Sequence, residues 1–382
     1  MEETEAIKIL ERNVEEIITR EELVDALALM AKSTSGSDRK LRAYVGYEPS
    51  GSVHIGHLPI LNKLRELQRV GFHIIVLLAD MHAYLNEKGS FEQIRETADY
   101  NKRCFAAAGL SDETEFIFGS SFQMEQEYMM NMLKLATVTT ENRARRSMDE
   151  LSRSTKDRKV SQTIYPLMQA IDIAFLNINV AVGGIDQRKI HMLARENLPK
   201  LGFKPPICIH TPLLIGLDGE KMSSSLGNYI AVQETEESVE KKLMDAYYPP
   251  EVADGNPILQ IYKHTLFPDE NIGAVEIERK DKYGGNMNYT SYKELELDYV
   301  RGRLHPLDVK TNAVRYLNDV LAKSTILPFL SSGVDPILEN LSAIVFNLSI
   351  SLSISVIGVW SISSNFSNSA QPIKEERGVP IW

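Results

Sequence analysis

From about residue 40 to about residue 215 the sequence alternates short apolar runs with longer stretches of helical period, which leaves few architectures open. "FHIIVLLAD" is continuously apolar through its centre, as expected of a parallel strand covered on both faces. "RAYVGYEPSG", "TEFIFGS", "INVAVGG" and "PICIHTPLL" read as further strands. Between them, "IGHLPILNKLRELQRVG" sets Ile60, Leu61, Leu64 and Leu67 on one helical face, with Gly71 as its stop. Pro59 fits only if that helix begins near Gly56, because proline lacks the N–H needed further in. "SFEQIRETADYNKRCFAAAG" opens with Ser90 and Gln93 at capping-box spacing and closes at Gly109. "DQRKIHMLAREN" follows the fourth strand as a helix. The pattern predicts an α/β fold, a doubly wound, Rossmann-like parallel sheet.

After about residue 230 the pattern changes. "TEESVEKKLMDAYYP" and "SYKELELDYVRGRLHPLDVKTNAVRYLNDVLA" read as helices with no strong strand between them, and Ala313, Val314, Leu317 and Leu321 make an apolar stripe. The expected division is an α/β domain over 1–230, a smaller helical domain over 231–322, and a Ser/Ile-rich tail over 323–382. The tail carries no charge from Leu341 to Ile373. "NLSISLSISVIGVW" has a strand period, while the surrounding run is long enough to cross a bilayer as a helix. Its serines and Asn347 weigh against the span. The preferred reading is a tail that is not a selected domain.

A chain of 382 residues can bury cores for two domains without disulfide staples. Cys104 and Cys208 have no metal-ligand spacing, and no metal site is expected. "MEETEAIKILERN" is acidic and amphipathic, unlike a secretory leader, so a reduced, cytoplasmic setting is expected and a membrane one is not. The net charge of −10 argues against a protein that coats nucleic acid, DNA included. A local basic surface stands out at 141–159, with Arg143, Arg145, Arg146, Arg153, Lys156, Arg158 and Lys159. Alone, such a run is equally a solvated helix face.

Two motifs carry chemistry. "HIGH", 54–57, falls between the first strand of the alternation and its helix. Ligands of open α/β sheets bind at that end of the strands, and a helix N-terminus offers unpaired N–H groups to phosphate. Gly56 lets a nucleotide approach the backbone, and His54 and His57 can donate to phosphate oxygens. By itself the tetrapeptide is equally two structural histidines. "DGEKMSSSLGN", 218–228, adds a lysine and three hydroxyls between glycines, suited to gripping and releasing a polyphosphate. Together the two are far more specific than either.

The pair resembles the signature of class I aminoacyl-tRNA synthetases, with "KMSSS" similar to their KMSKS loop. "AYVGYEPSGSVHIGH", "LLADMHAYLNEKG", "YPLMQAIDI" and "VAVGGIDQRKIHMLARE" look like tyrosyl-tRNA synthetases of the archaeal and eukaryotic cytosolic type. The resemblance runs from about residue 5 to 322. It implies a homodimer that joins L-tyrosine to AMP using ATP and Mg²⁺, releases pyrophosphate, and passes the tyrosyl group to tRNA(Tyr). It further implies that 1–230 is the catalytic domain and 231–322 the anticodon-binding one. Carried over residue by residue, His54, Gly56 and His57 would hold ATP, and Lys221, Ser223, Ser224 and Ser225 the leaving pyrophosphate. His54, His57 and Lys221 would be catalytic. Ser224 departs from the second lysine of KMSKS, leaving more neutralisation to Mg²⁺ or another cation. Tyr44 and Asp172 would bond the substrate phenol; Glu48, Tyr165, Gln169 and Gln187 its ammonium and backbone end. Arg146 and Arg188 would lie near the first base pair of the acceptor stem. Tyr283 would stack on an anticodon base and Asp308 accept its hydrogen bonds, although a carboxylate at a helix N-terminus is a plain alternative for Asp308. The rival readings are a tryptophanyl-tRNA synthetase, a small nucleotidyltransferase and a non-catalytic RNA-binding relative. Tyr44 with Asp172 favours a phenol over an indole.

Overall fold

A computed structural model of the chain describes residues 3–32, 40–149, 159–222, 226–269 and 272–323. The tail beyond Lys323, the serines 223–225 and the stretch 150–158 lie outside the described residues. Six strands form one sheet: β1 (Glu16–Ile18), β2 (Arg42–Tyr47), β3 (His73–Leu78), β4 (Glu115–Phe118), β5 (Val180–Gly184) and β6 (Ile207–Thr211). Their order is β1-β6-β5-β2-β3-β4. All neighbours are parallel except β1, which runs antiparallel to β6. From β2 the chain winds outward through β3 to β4; from β5 it winds the other way to β6. The adjacent strands β2 and β5, with Tyr44 opposite Ala181, therefore feed connections that diverge, and a crevice opens at their carboxyl ends.

The expected alternation is present, with one addition. β1 is three residues long, too short to give a period, and it exists because the edge of β6 offers it a partner.

Local sequence explains the elements around the crevice. Helix Leu58–Val70 buries Leu58, Pro59, Leu61, Leu64 and Leu67 and ends at Gly71, whose φ of 112° only glycine adopts without strain. Helix Phe91–Ala107 has the predicted reciprocal capping box of Ser90 and Gln93. The two-residue period of the strands assigns side chains to opposite layers. Ala43, Val45, Ile74 and Val76 join one apolar cluster, which continues to Leu295, Ala313 and Leu317. Tyr44, Ile75, Leu77 and Ala181 face the other, with Leu167, Ile171 and Ile173 of helix Ser161–Phe175.

In 231–322 the expectation of helices without strands needs correcting. Helices Glu236–Asp245, Pro257–Ile261, Tyr292–Val300 and Pro306–Lys323 are present, but β7 (Val275–Ile277) and β8 (Met287–Tyr289) pair as an antiparallel ribbon. Each strand has three residues, so neither shows a period. Burial of Val275 and Ile277 against the last helix, and of Tyr289 beside helix Tyr292–Val300, stabilises them instead. That helix buries Ala313, Leu317 and Leu321 as the stripe predicts, with Val314 half-buried.

One buried cation holds the N-terminal segment to this frame. Lys63, 1% exposed, donates to the carbonyls of Leu10 at 2.9 Å and Arg12 at 2.7 Å, and pairs with Glu66. These are carbonyls at and beyond the C-terminus of helix Glu3–Leu10, where positive charge is favoured. Lys63→Met is expected to lose about 3 kcal/mol of unfolding free energy, read by urea denaturation, because buried acceptors and Glu66 lose their donor.

Candidate active site

The crevice at the β2/β5 divergence holds a cavity of about 330 Å³. His54, Gly56 and His57 line it from one side, Glu48 and Tyr165 from another, and Gln187, Lys221 and Met222 complete it. Residues 55–57 form a turn of 3-10 helix before helix Leu58–Val70. His54 caps that turn: its Nδ1 accepts from the Gly56 N–H at 3.2 Å. The His57 Nδ1 lies 3.1 Å from the His54 N–H, closing the box. With its Nδ1 accepting, the proton of the neutral His54 ring sits on Nε2, available to an anion; the His57 Nδ1 also lies 3.2 Å from the His54 carbonyl, to which it donates in the other tautomer. Both rings are neutral at physiological pH. Burial, with the neighbouring His57 adding to it, takes His54 down to about 2, and burial takes His57 down to about 4. They are neutral donors, not counter-charges.

The second motif is bound to the first through backbone. His54 bridges Ala231, the Ile55 N–H donates to the Ile230 carbonyl at 2.9 Å, and Val232 N–H donates to Val53 at 3.0 Å. The Tyr229 and His54 rings sit 4.9 Å apart. A Cβ on Gly56 would lie 2.9 Å from both the His54 ring and the Met222 sulfur, so only glycine permits this approach of the two segments. Lys221 is exposed, with Nζ 4.0 Å from Asp186. The cation of the second motif thus reaches the cavity that the histidines line.

Beneath this rim, helix Ser161–Phe175 presents Tyr165, Gln169 and Asp172 along one face at three- and four-residue spacing. Tyr165 donates to Glu48 at 3.2 Å, and Gln169 donates to Gln187 at 3.1 Å. Asp172 is wholly buried. Its Oδ1 accepts from Gln123 at 2.7 Å and from Tyr128 at 2.8 Å, whereas its Oδ2 has no hydrogen-bond partner among the described residues. Burial pushes its carboxyl up to about 7 against those two donors. The Tyr44 hydroxyl, also buried, likewise has no partner of good geometry. Burial, and then the Asp172 charge, hold its proton on firmly. A buried donor and a buried acceptor, both unpartnered, lie on the same side of the sheet. Such groups are costly unless something bonds them.

A model of the tRNA synthetases class I (W and Y) matches residues 36–322. The tyrosine–tRNA ligase of Archaeoglobus fulgidus is 54% identical over 322 residues, covering 84% of this chain and 97% of that protein. That of Methanosarcina barkeri is 54% identical over 316 residues, 82% of this chain and 96% of its own length. The crystal structure of the Archaeoglobus fulgidus tyrosyl-tRNA synthetase, complexed with L-tyrosine, superposes with a TM-score of 0.79 at 52% identity, over 85% of this chain and all of that one. The chain belongs to the tyrosyl-tRNA synthetase family of class I. It is an enzyme that charges tRNA with tyrosine. A tryptophanyl-tRNA synthetase from Aeropyrum pernix shares the fold at 19% identity and a TM-score of 0.62.

Residues predicted from the sequence divide by place. Of those expected at ATP and tyrosine, Glu48, His54, Gly56, His57, Tyr165, Gln187 and Lys221 line the one cavity, whereas Tyr44, Gln169 and Asp172 lie buried outside its lining and the serines 223–225 lie outside the described residues. Those expected at tRNA do not line it. Arg146, exposed on helix Glu141–Ser147, bonds its own helix at the Asn142 carbonyl. Arg188, at the start of the synthetase helix Arg188–Asn197, pairs with Glu16 at 2.6 Å. Tyr283 is exposed, with the Lys282 ammonium 4.7 Å from its ring. Asp308 sits in the first turn of helix Pro306–Lys323, where the dipole alone would favour it.

Sequence reasoning missed the residues that hold the expected ones. Asn86 donates to Glu48 at 3.0 Å and Lys88 pairs with it at 3.0 Å; Gln123 and Tyr128 hold Asp172. Asn86 and Lys88 fall in the family-like stretch "LLADMHAYLNEKG", but nothing in the sequence ties them to Glu48 or Gln123 and Tyr128 to Asp172. Gly56→Ala is expected to cut tyrosine-dependent ATP–pyrophosphate exchange at least about tenfold while the melting temperature changes little, since the clash falls on the motif contact and not on the core.

Proposed function

We propose that the crevice performs the two steps of tyrosine activation and transfer. In the first, the carboxylate of L-tyrosine attacks the α-phosphorus of ATP; the bond to the bridging oxygen breaks and pyrophosphate leaves. In the second, the ribose of the terminal adenosine of tRNA(Tyr) takes the tyrosyl group and AMP leaves. The observation that carries this reading is the pair of buried, unpartnered atoms, the Tyr44 hydroxyl and Asp172 Oδ2. A phenol hydroxyl satisfies both at once, accepting from one and donating to the other. An analogue without that hydroxyl leaves both unpaired, which is the physical basis of strong rejection. The Archaeoglobus fulgidus enzyme was crystallised as a complex with L-tyrosine, which agrees with this choice of ligand.

Placement supports the remaining roles, except those of the serines 223–225, which rest on the resemblance of the loop to KMSKS. Glu48, fixed by Asn86, Lys88 and Tyr165, is the anion for the substrate ammonium. Gln169 and Gln187 offer amides to its backbone end. His54 donates Nε2–H to a phosphate oxygen, His57 lines the same wall, and Gly56 leaves room for the nucleotide. Lys221 stabilises the leaving pyrophosphate, with Ser223, Ser224 and Ser225 as further donors. Magnesium enters with the nucleotide as MgATP. This chemistry needs alignment and charge neutralisation more than a base.

For tRNA, Arg146 and Arg188 would meet the acceptor stem, Arg188 exchanging Glu16 for RNA. Tyr283 and Asp308 would read the anticodon from the 231–322 domain. A homodimer is supported by the exposed apolar side chains Met130, Leu133 and Val138 on helix Gln126–Val138, with Met124 beside it. A cytoplasmic location suits all of these substrates.

Tyrosine-dependent ATP–pyrophosphate exchange tests the reading. Tyr44→Ala or Asp172→Ala is expected to narrow the kcat/KM ratio of tyrosine over phenylalanine by about 10- to 100-fold; an unchanged ratio refutes the assignment. Lys221→Ala is expected to lower kcat of exchange by about 10²-fold. A normal rate removes the loop from the mechanism.

A further inference from the structure

We propose that His82 is a positioning residue for the specificity carboxylate: its Nε2–H closes onto Asp172 Oδ2 and fixes that oxygen as the acceptor for the substrate phenol. The proposal rests on the tyrosine-pocket reading above.

His82 lies on helix Asp80–Leu85, just beyond the end of β3. It is 2% exposed, and neither ring nitrogen has a hydrogen-bond partner among the described residues. Its Nε2 is 3.6 Å from Asp172 Oδ2, slightly too long for a hydrogen bond. The ring stands edge-on to Tyr165, the centroids 4.6 Å apart, which restricts how it can turn. Asp172 Oδ1 is already occupied by two donors. Thus the free oxygen of the fully buried Asp172 carboxylate faces a buried imidazole that has no hydrogen bond of good geometry. A shift of about half an ångström makes the contact, and the ring also lies against the Tyr165 backbone.

The consequence is chemical as well as geometric. Burial holds His82 down to about 4, so at neutral pH it is an uncharged donor. Burial holds Asp172 up to about 7, so that without a further donor much of it is protonated at neutral pH. A protonated carboxyl offers a competing O–H where the phenol needs an acceptor. A donor from His82 favours the carboxylate and lowers the pH at which tyrosine binding fails. The other titratable groups facing Asp172 are Tyr44 from β2, Tyr128 from helix Gln126–Val138, and Tyr165 on its own helix. All are pushed upward by burial and keep their protons across this range. Asp172 is therefore the group that titrates.

Direct binding of L-tyrosine and L-phenylalanine to the full chain, measured from about pH 6 to about pH 9, tests this in the wild type, His82→Phe and His82→Gln. His82→Phe keeps a ring against Tyr165 and removes the donor. It is expected to move the acidic limb of binding up by about one unit and to weaken tyrosine about twofold at neutral pH, the loss growing toward about tenfold below the limb, one unit being a factor of ten. Phenylalanine binding should stay constant, and in exchange kinetics the loss should fall on KM and not on kcat. His82→Gln, whose amide can donate from a similar place, should recover most of the affinity and the original limb. His82→Leu serves if the phenylalanine variant does not fold. Unchanged tyrosine binding in the donor-less variant overturns the proposal. So does an equal loss for both amino acids with the limb unmoved, the mark of packing alone. Failure of the wild type to prefer tyrosine would instead overturn the pocket assignment.

Discussion

The catalytic geometry depends on a short backbone pairing, where Val53–Ile55 meets Ile230–Val232. Two hydrogen bonds and one bridge join segments about 175 residues apart and bring both signature motifs to the same cavity. The contact is reinforced from the far side. Lys242 donates to the Tyr229 carbonyl at 2.9 Å and pairs with Glu234, which in turn accepts from the Ala231 N–H at 2.8 Å. Tyr229, held this way, lies against His54. Gly56 is the complement on the near side, its missing side chain giving Met222 its place.

Burial sets the electrostatics of the crevice. The histidines are kept neutral, so they present N–H groups without charge, while Lys221 stays exposed beside Asp186. Charge is thereby concentrated on a side chain that can move, and the fixed wall supplies dipoles. The deeper pocket uses the opposite device. A carboxylate is placed where water does not reach, supported on one oxygen and left open on the other. Such an oxygen needs a partner, and burial makes the charge of the group sensitive to protons.

Much of this was legible in the chain. Hydrophobic period gave five of the six sheet strands, glycine and capping residues gave the ends of the helices, and the motif pair marked two segments that line one cavity. Strands of three residues were not legible, because β1, β7 and β8 are too short for a period to emerge and are stabilised by their neighbours. The supporting residues were also hidden. Gln123, Tyr128 and His82 matter through what they touch, and each comes from a different part of the chain than Asp172.

The sequence by itself determined the layers, since alternation along β2 and β3 sends Ala43 and Val45 to one face and Tyr44 to the other. It also determined which side chains could carry charge or donate to phosphate. Only the tertiary structure decided that Tyr44 and Asp172 are wholly buried with an atom of each unpartnered, that the histidines are neutral, and that Arg188 rests on Glu16. Composition and period are local properties of the chain. Desolvation and hydrogen-bond partnership are set by residues that arrive from elsewhere.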